Sequence, residues 1–268
     1  MARKRLVFTL LYQEGYFWLS RNFRLQRVGD TSWLRSNYNF EHVAKSLDEL
    51  IILNVDRNVA NTRDFIAAVE EVSLNCFIPL GLGGHIRSLQ DAELLISNGA
   101  DKLVINSSIY RNPKLIKDLV SKYGSQAVVA SIDFKSVDGT WKVYIDQGVT
   151  EVDMSIVEYL QYVISLGVGE LYLNSIDLDG TGQGYCLDIL QTVSKVSSIP
   201  VIISGGAGNK DHLLNALEVK SIDGASTANL FNFIGEALPD ARKYLIDKGI
   251  NLSNWAKISP QSLIRTGL

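Results

Sequence analysis

The chain has 268 residues, is 46% hydrophobic, and sets 26 Lys and Arg against 29 Asp and Glu for a net charge of -3. That length and apolar content can build the core of one barrel-sized domain without calling for a second. The absence of a long Lys/Arg block leaves a nucleic acid no basic face to bind, so no nucleic-acid partner is expected. The basic start, Met1 to Arg5, leads into an apolar run, Leu6 to Leu11, that is too short for a signal peptide or a membrane span. A cytoplasmic protein with no membrane partner is the expectation.

Along the chain, short apolar runs recur at Leu6 to Leu11, Leu50 to Asn54, Phe77 to Leu80, Leu103 to Asn106, Ala127 to Asp133, Leu171 to Ser175, Val201 to Ser204 and Ala225 to Ala228. They are continuous rather than alternating and rich in Leu, Val and Ile, as parallel strands covered by helices are. Helix-length amphipathic stretches lie between them. Ser88 with Asp91, Asn112 before Pro113, and Asn209 before Lys210 read as helix starts. Ile156, Leu160, Val163 and Ile164 fall at helical spacing. Eight strand-helix units predict an α/β fold, a (β/α)8 TIM barrel filling 1–268 as a single domain with a short C-terminal extension. Residues 15–38 are less regular and are expected to form a loop over the barrel mouth, and the tail after Trp255 has no place in the pattern.

The chain also reads as the same text twice, at an offset of 122 residues: Gly83-Gly84 returns as Gly205-Gly206, and Asp101 as Asp223. A half-barrel internal repeat follows, with equivalent chemistry expected in each half. Asp133 closes its apolar run where the first half has Leu11.

In such a barrel the loops after the strands form the active face. Two of them carry paired glycines, Gly83-Gly84-His85 and Gly205-Gly206-Ala207. Glycine pairs ahead of a helix leave backbone N–H groups free to hold an anion, and phosphate is the natural one. Asn106-Ser107-Ser108 and Thr227-Ala228-Asn229 stand in neighbouring loops, where their hydroxyl and amide side chains would donate to the same oxygens. Tight strand-to-helix turns would use the same glycines, and a duplication copies a turn as readily as a site. Asp133, at a strand end with apolar walls able to raise its pKa, is the general acid/base candidate. Asp177-Leu178-Asp179-Gly180-Thr181 reads either as a ligand-covering loop or as a capped turn. His85 reads as a residue shaping the site, whereas His42 and His212 read as surface residues of helices. Cys76 and Cys186 have no Cys/His partner at ligand spacing, so both read as packing residues and no metal or cofactor is expected.

Lys4-Arg5, Gly83-Gly84-His85-Ile86-Arg87-Ser88, Gly99-Ala100-Asp101-Lys102 and Gly124-Ser125-Gln126-Ala127 belong to a wider set of motifs. The set continues with Asp179-Gly180-Thr181 and Ser198-Ile199-Pro200-Val201, and ends in Ser204-Gly205-Gly206-Ala207-Gly208. Together they resemble the cyclase subunit of imidazole glycerol phosphate synthase over residues 4–250. That family's barrel takes ammonia from a glutaminase subunit and uses it to cleave and cyclise a bisphosphorylated ribonucleotide. The resemblance implies phosphate-binding roles for Gly84, His85, Asn106, Ser107, Asp179, Gly180, Thr181, Gly205, Gly206, Ala228 and Asn229, and a catalytic role for Asp133. It implies an ammonia gate formed by Arg5, Glu49, Lys102 and Glu170, and a glutaminase-docking role for Asp101. A charge before a strand is otherwise only a solvated strand end.

The chain departs from the family at Leu11, where the other catalytic aspartate belongs, at Leu19 for a lysine, at Asn54 for an acid and at His85 for a glycine. Leu10-Leu11 and Asn174-Ser175-Ile176-Asp177 resemble a branch associated with glycosyl amidation in surface-polysaccharide clusters. The expected function is therefore a barrel that receives ammonia from a glutaminase and channels it, through a separate sugar amidotransferase, to amidation of an N-acetylated sugar. One alternative is the authentic cyclase, with Asp56 or Asp177 standing in for the missing acid. The other is a non-catalytic scaffold that activates the glutaminase.

Overall fold

The computed structural model describes residues 3–37, 45–57, 62–74, 76–228 and 237–253. The chain opens with β1 (Arg5–Gln13), β2 (Tyr16–Arg21), β3 (Arg24–Gly29) and α1 (Thr31–Asn37). Next come β4 (Glu49–Asn54), α2 (Thr62–Ser73), β5 (Leu80–Gly83), α3 (Leu89–Ser97), β6 (Lys102–Ile105), α4 (Ser107–Arg111) and α5 (Pro113–Tyr123). The second half runs through β7 (Val128–Val137), β8 (Thr140–Ile145), β9 (Thr150–Glu151), α6 (Ile156–Ser165) and β10 (Glu170–Ser175). It ends with α7 (Leu190–Val196), β11 (Val201–Ser204), α8 (Lys210–Glu218), β12 (Gly224–Thr227) and α9 (Ala237–Asp247). Parallel pairing runs from β1 through β4, β5, β6, β7, β10, β11 and β12 and returns from β12 to β1, which closes a (β/α)8 barrel.

Local sequence explains the helix starts. The Ser88 hydroxyl accepts the Asp91 N–H at 3.2 Å, Asn112 caps α5 with Pro113 in its first turn, and Asn209 accepts the His212 N–H at 3.0 Å. Ser155 and Glu158 form a reciprocal capping box ahead of α6. Each barrel strand is buried on both faces. Leu6, Phe8 and Leu10 of β1 pack outward against helices, while Val7 joins Ile51, Val104, Val129, Tyr172 and Ile202 in a separate cluster on the barrel axis.

The third strand lies three residues later than the apolar run Phe77 to Leu80 suggests, and Phe77 itself is 95% exposed. Gly81 and Gly83 look like loop residues in sequence, yet they are inward strand positions, where a side chain at Gly83 would collide with Val104 and Leu53 and one at Gly81 would crowd Ile51 and Val104.

The half-barrel repeat appears in the architecture as well. The first and fifth barrel strands both run on past the rim into antiparallel hairpins, β1 with β2 and β7 with β8. A finer repeat is visible at the opposite end. Asp48, Asp101 and Asp223 each stand just before an even-numbered barrel strand and exchange two hydrogen bonds with the preceding strand, at Leu6, Leu80 and Val201. Gly169 occupies the fourth such position and keeps only the backbone bond, to Val128. A Cβ there would lie 2.3 Å from the Ser125 carbonyl oxygen.

Asp48 carries a second load. Its carboxylate takes both terminal nitrogens of Arg242 on α9 at 2.9 Å, while Arg242 also donates to the Ser46 and Ser253 carbonyls. Both side chains are buried, so truncating one strands the other without solvent. Arg242→Ala should lower unfolding stability by about 3 kcal/mol. Chemical denaturation would read this as a shifted midpoint, and an unchanged midpoint would refute it.

Residues 15–38 are not an irregular loop up to their last position. They form β2, β3 and α1, and Tyr38 lies outside the described residues. The hairpin closes through Asn22 and Phe23, both at positive φ, and Phe17 buries its ring against Tyr12 at 5.8 Å. His42 and the tail from Trp255 also lie outside the described residues. Cys76 and Cys186 are free thiols, and burial pushes that of Cys76 up to about 11, which keeps it protonated. No helix among the described residues is long and apolar enough to cross a membrane.

Candidate active site

Inward-facing residues alternate along each barrel strand and stack in levels along the axis. At the N-terminal end of the strands, Glu49, Lys102 and Glu170 point inward from β4, β6 and β10. The fourth place, on β12, belongs to Gly224, and beside it stands Arg5 of β1, its register partner. The four side chains close a ring. Arg5 binds Glu49 at 2.8 Å and also Glu170, while Lys102 donates to both Glu49 oxygens at 2.9 Å and to Glu170 at 2.8 Å. Two cations and two carboxylates cancel. Burial raises the Glu49 carboxyl above its ordinary value, and Lys102 and Arg5 only partly offset this. At Glu170 burial pushes the same way, but hydrogen bonds and charge from Arg5 and Lys102 prevail and hold it low.

Above the ring come the apolar side chains Val7, Val129 and Ile202, then Ile51 and Val104 with the ring of Tyr172. Beyond them a cavity of about 810 Å³ opens at the C-terminal end of the strands. Asp133, on β7, lies buried in its wall. Asn174 and Asn106 donate to its two oxygens at 3.3 and 3.2 Å. Burial pushes the Asp133 carboxyl up to about 7, with the Asn174 hydrogen bond opposing and the charge of Asp179 adding to the rise. A carboxyl poised near neutrality exchanges protons with a reacting group in either direction.

The cavity brings together Gly84, His85, Asn106, Ser107, Asp179, Ala228 and Leu11. Gly84 has φ +99, and a Cβ there would lie 2.0 Å from the Asn54 carbonyl oxygen. Gly206 has φ +105 and backs as closely onto the Gly184 carbonyl. Both therefore allow a close backbone approach between adjacent loops, whatever else they bind. His85 keeps a left-handed backbone, φ +56, and its Nε2 hydrogen-bonds the Asp56 carbonyl at 2.9 Å.

Gly180, Thr181, Gly205 and Gly206 stand in backing loops rather than among the lining residues, and Asn229 lies outside the described residues. Asp179 is engaged by the first hairpin, accepting from the Ser20 hydroxyl and, at 3.1 Å, from the Phe23 N–H. Of the two replacement acids, Asp56 lines the cavity and holds the Glu14 N–H at 2.9 Å. Asp177 instead accepts from the Ser136 N–H at 2.8 Å on the second hairpin. Leu19 packs against the outer core. His212 is half-buried rather than a plain surface residue, because its Nδ1 accepts the Gly208 N–H at 3.1 Å.

Sequence reasoning passed over the cations of this cavity. Arg57, Arg87 and Arg111 line its first-half side, and Arg111 pairs with Asp146 of the turn between β8 and β9. Gln147 of that turn donates to the Val55 and Asp56 carbonyls at 3.2 Å, so the β8–β9 turn reaches across the mouth. The available signal was position, since Arg57, Arg87 and Arg111 all fall within a few residues of a strand's end.

A family model described as histidine biosynthesis protein matches residues 29–236. The chain belongs to the HisF family of these proteins. It is 42% identical, over 99% of both chains, to a protein of Parasynechococcus marenigrum (strain WH8102) provisionally named imidazole glycerol phosphate synthase subunit hisF2. It is 35% identical to the imidazole glycerol phosphate synthase subunit HisF of Bacillus cereus (strain G9842), over 94% of this chain and 99% of the relative. Identity to the HisF subunit of Streptococcus mutans serotype c (strain ATCC 700610 / UA159) is also 35%, over 94% and 100%.

Proposed function

We propose that this chain is the ammonia-using barrel subunit of a glutamine-dependent synthase, supplied by a separate glutaminase and acting on a phosphorylated small molecule. One observation carries the reading: the neutral ring of Arg5, Glu49, Lys102 and Glu170 stands on the same axis as the cavity holding Asp133, at the opposite end of the strands. Ammonia is small and uncharged, so a ring of balanced charge between it and the interior excludes ions while a transient parting lets the neutral molecule through. The glutaminase docks at the ring end, where Asp101 is exposed and Phe77 presents an uncovered aromatic ring.

At the cavity, Gly84, His85, Asn106 and Ser107 with Arg57 and Arg87 hold one phosphate, and the loops around Gly205 and Ala228 hold the other. Asp133 handles the proton. Because the relatives are named for imidazole glycerol phosphate synthase, we assign cyclisation of a bisphosphorylated ribonucleotide in preference to sugar amidation. Leu11 favours the second reading, since it lines the cavity where the repeat would place the counterpart of Asp133 and cannot move a proton.

Purified chain supplied with ammonium salt and the ribonucleotide should give slow cyclisation. Leu11→Asp should speed it about tenfold, a fraction of the ~10²–10⁴ that an acid/base group contributes in a site built to orient it. Product formed by neither protein would end the cyclase assignment in favour of ammonia transfer to a sugar amidotransferase.

A further inference from the structure

One strand, β10, presents three residues to the axis at alternate positions: Glu170 in the ion ring, Tyr172, and Asn174 against Asp133. Successive inward positions on a strand are about 6.6 Å apart, so Tyr172 lies midway between the ring and the rim. Its aromatic ring packs with Ile51, Val104, Val129 and Ile202, and its hydroxyl reaches along the wall that the next strands, β11, β12 and β1, form beside β10. There it meets Thr9 of β1 at 3.0 Å, Ser204 of β11 at 2.8 Å and Ser226 of β12 at 3.2 Å. Thr9 and Ser226 are joined to each other at 2.8 Å. All four residues are buried, and Thr9, Tyr172 and Ser204 form part of the cavity floor.

Hydroxyls carry one proton and two lone pairs each. Mutual bonding uses up the protons of this cluster and leaves acceptor positions in excess. Ammonia has three N–H donors and a single lone pair, whereas water has two of each, so an acceptor-rich pocket suits ammonia better. Among the described residues, the carboxylates of the ring and of Asp133 stand at the two ends rather than beside the Tyr172 hydroxyl, and an ammonium ion among Ile51, Val104 and Val129 would be a cation without a counter-charge in contact. We propose that Thr9, Tyr172, Ser204 and Ser226 form a binding site for one molecule of neutral ammonia at the cavity floor. The inference rests on the ammonia-using reading above. Ammonia held by its N–H groups from below turns its lone pair up toward the rim, the orientation a nucleophile needs. Burial also raises the Tyr172 phenol above its ordinary value, against the hydrogen bonds from Ser204, Ser226 and Thr9, so the hydroxyl stays neutral.

The test is steady-state cyclisation by the full chain with ammonium salt, rates being referred to free ammonia. Tyr172→Phe keeps the ring in place and removes only the hydroxyl, and Ser226→Ala removes one of its partners. Each should raise the KM for ammonia about fivefold, as loss of one buried hydrogen bond does, with the KM for the phosphorylated acceptor and kcat unchanged. Wild-type KM for ammonia in both variants, or equal shifts in both KM values, would overturn the site and leave the cluster as packing. Failure of both the wild-type chain and Leu11→Asp to turn over would instead overturn the cyclase reading, and with it the site as the seat of a nucleophile.

Discussion

Asp133→Asn should lower ammonia-dependent turnover by ~10²–10⁴-fold, the usual contribution of a positioned acid/base group. Asparagine has nearly the same shape but offers one acceptor oxygen to the two amides that Asn106 and Asn174 donate, so one of those amides must turn its carbonyl inward; beyond that, what it removes is the exchangeable proton. The pH behaviour separates this from a folding defect. With its pKa pushed up to about 7 by burial, Asp133 keeps its proton in the folded protein through a range where the unfolded chain, at about 3.9, has released it. Folding therefore binds a proton between those values, and the stability this group contributes, complete below about 4, is lost as pH rises through about 7. The asparagine variant does not ionise, so thermal unfolding at pH 8 should find it at least as stable as the parent. Acting as the acid, Asp133 should give the parent a rate that falls above about pH 7 at constant free ammonia, and the variant should lack that limb. A variant as fast as the parent would remove Asp133 from the chemistry.

Glu49→Gln should cost about 3–5 kcal/mol of stability and uncouple the two ends of the barrel. Glu49 is the most deeply buried member of the ring and the partner of both Arg5 and Lys102. With it neutral, two cations share Glu170 and the ring carries an uncompensated positive charge among side chains that water barely reaches. Glutamine-driven synthesis in the complex with the glutaminase should fall well below glutamine hydrolysis, while synthesis from added ammonium salt should be retained. Denaturant titration checks the first consequence, and the ratio of product to glutamate checks the second. Tight coupling preserved in the variant would leave the ring a structural device only. Glu49 and Glu170 are equivalent in the repeat but not in environment, since cations outweigh burial at Glu170 and burial prevails at Glu49.

Several features of the site were legible from the chain alone. Asp133 ends an apolar run, and the ring residues each stand next to one, so position relative to a strand marked them. The glycine pairs marked the loops, although their close contacts with Asn54 and Gly184 could come only from coordinates. The third strand was displaced because glycine reads as a turn residue in sequence, whereas inside a narrow barrel it is an inward position with no room for a side chain. The β2–β3 hairpin was hidden because its turn, at Asn22 and Phe23, carries no glycine.

By itself the sequence determined the fold class and the family, because strand-helix alternation, the offset repeat and the glycine motifs are local patterns that survive without coordinates. Only the tertiary structure decided which residues meet on the axis. Parallel barrel strands are buried on both faces, so composition does not distinguish the inward residue from the outward one, and closure of β12 against β1 fixes the register. That closure brings Arg5 to Glu170 and the Tyr172 hydroxyl to Thr9, contacts between residues more than 160 positions apart in the chain.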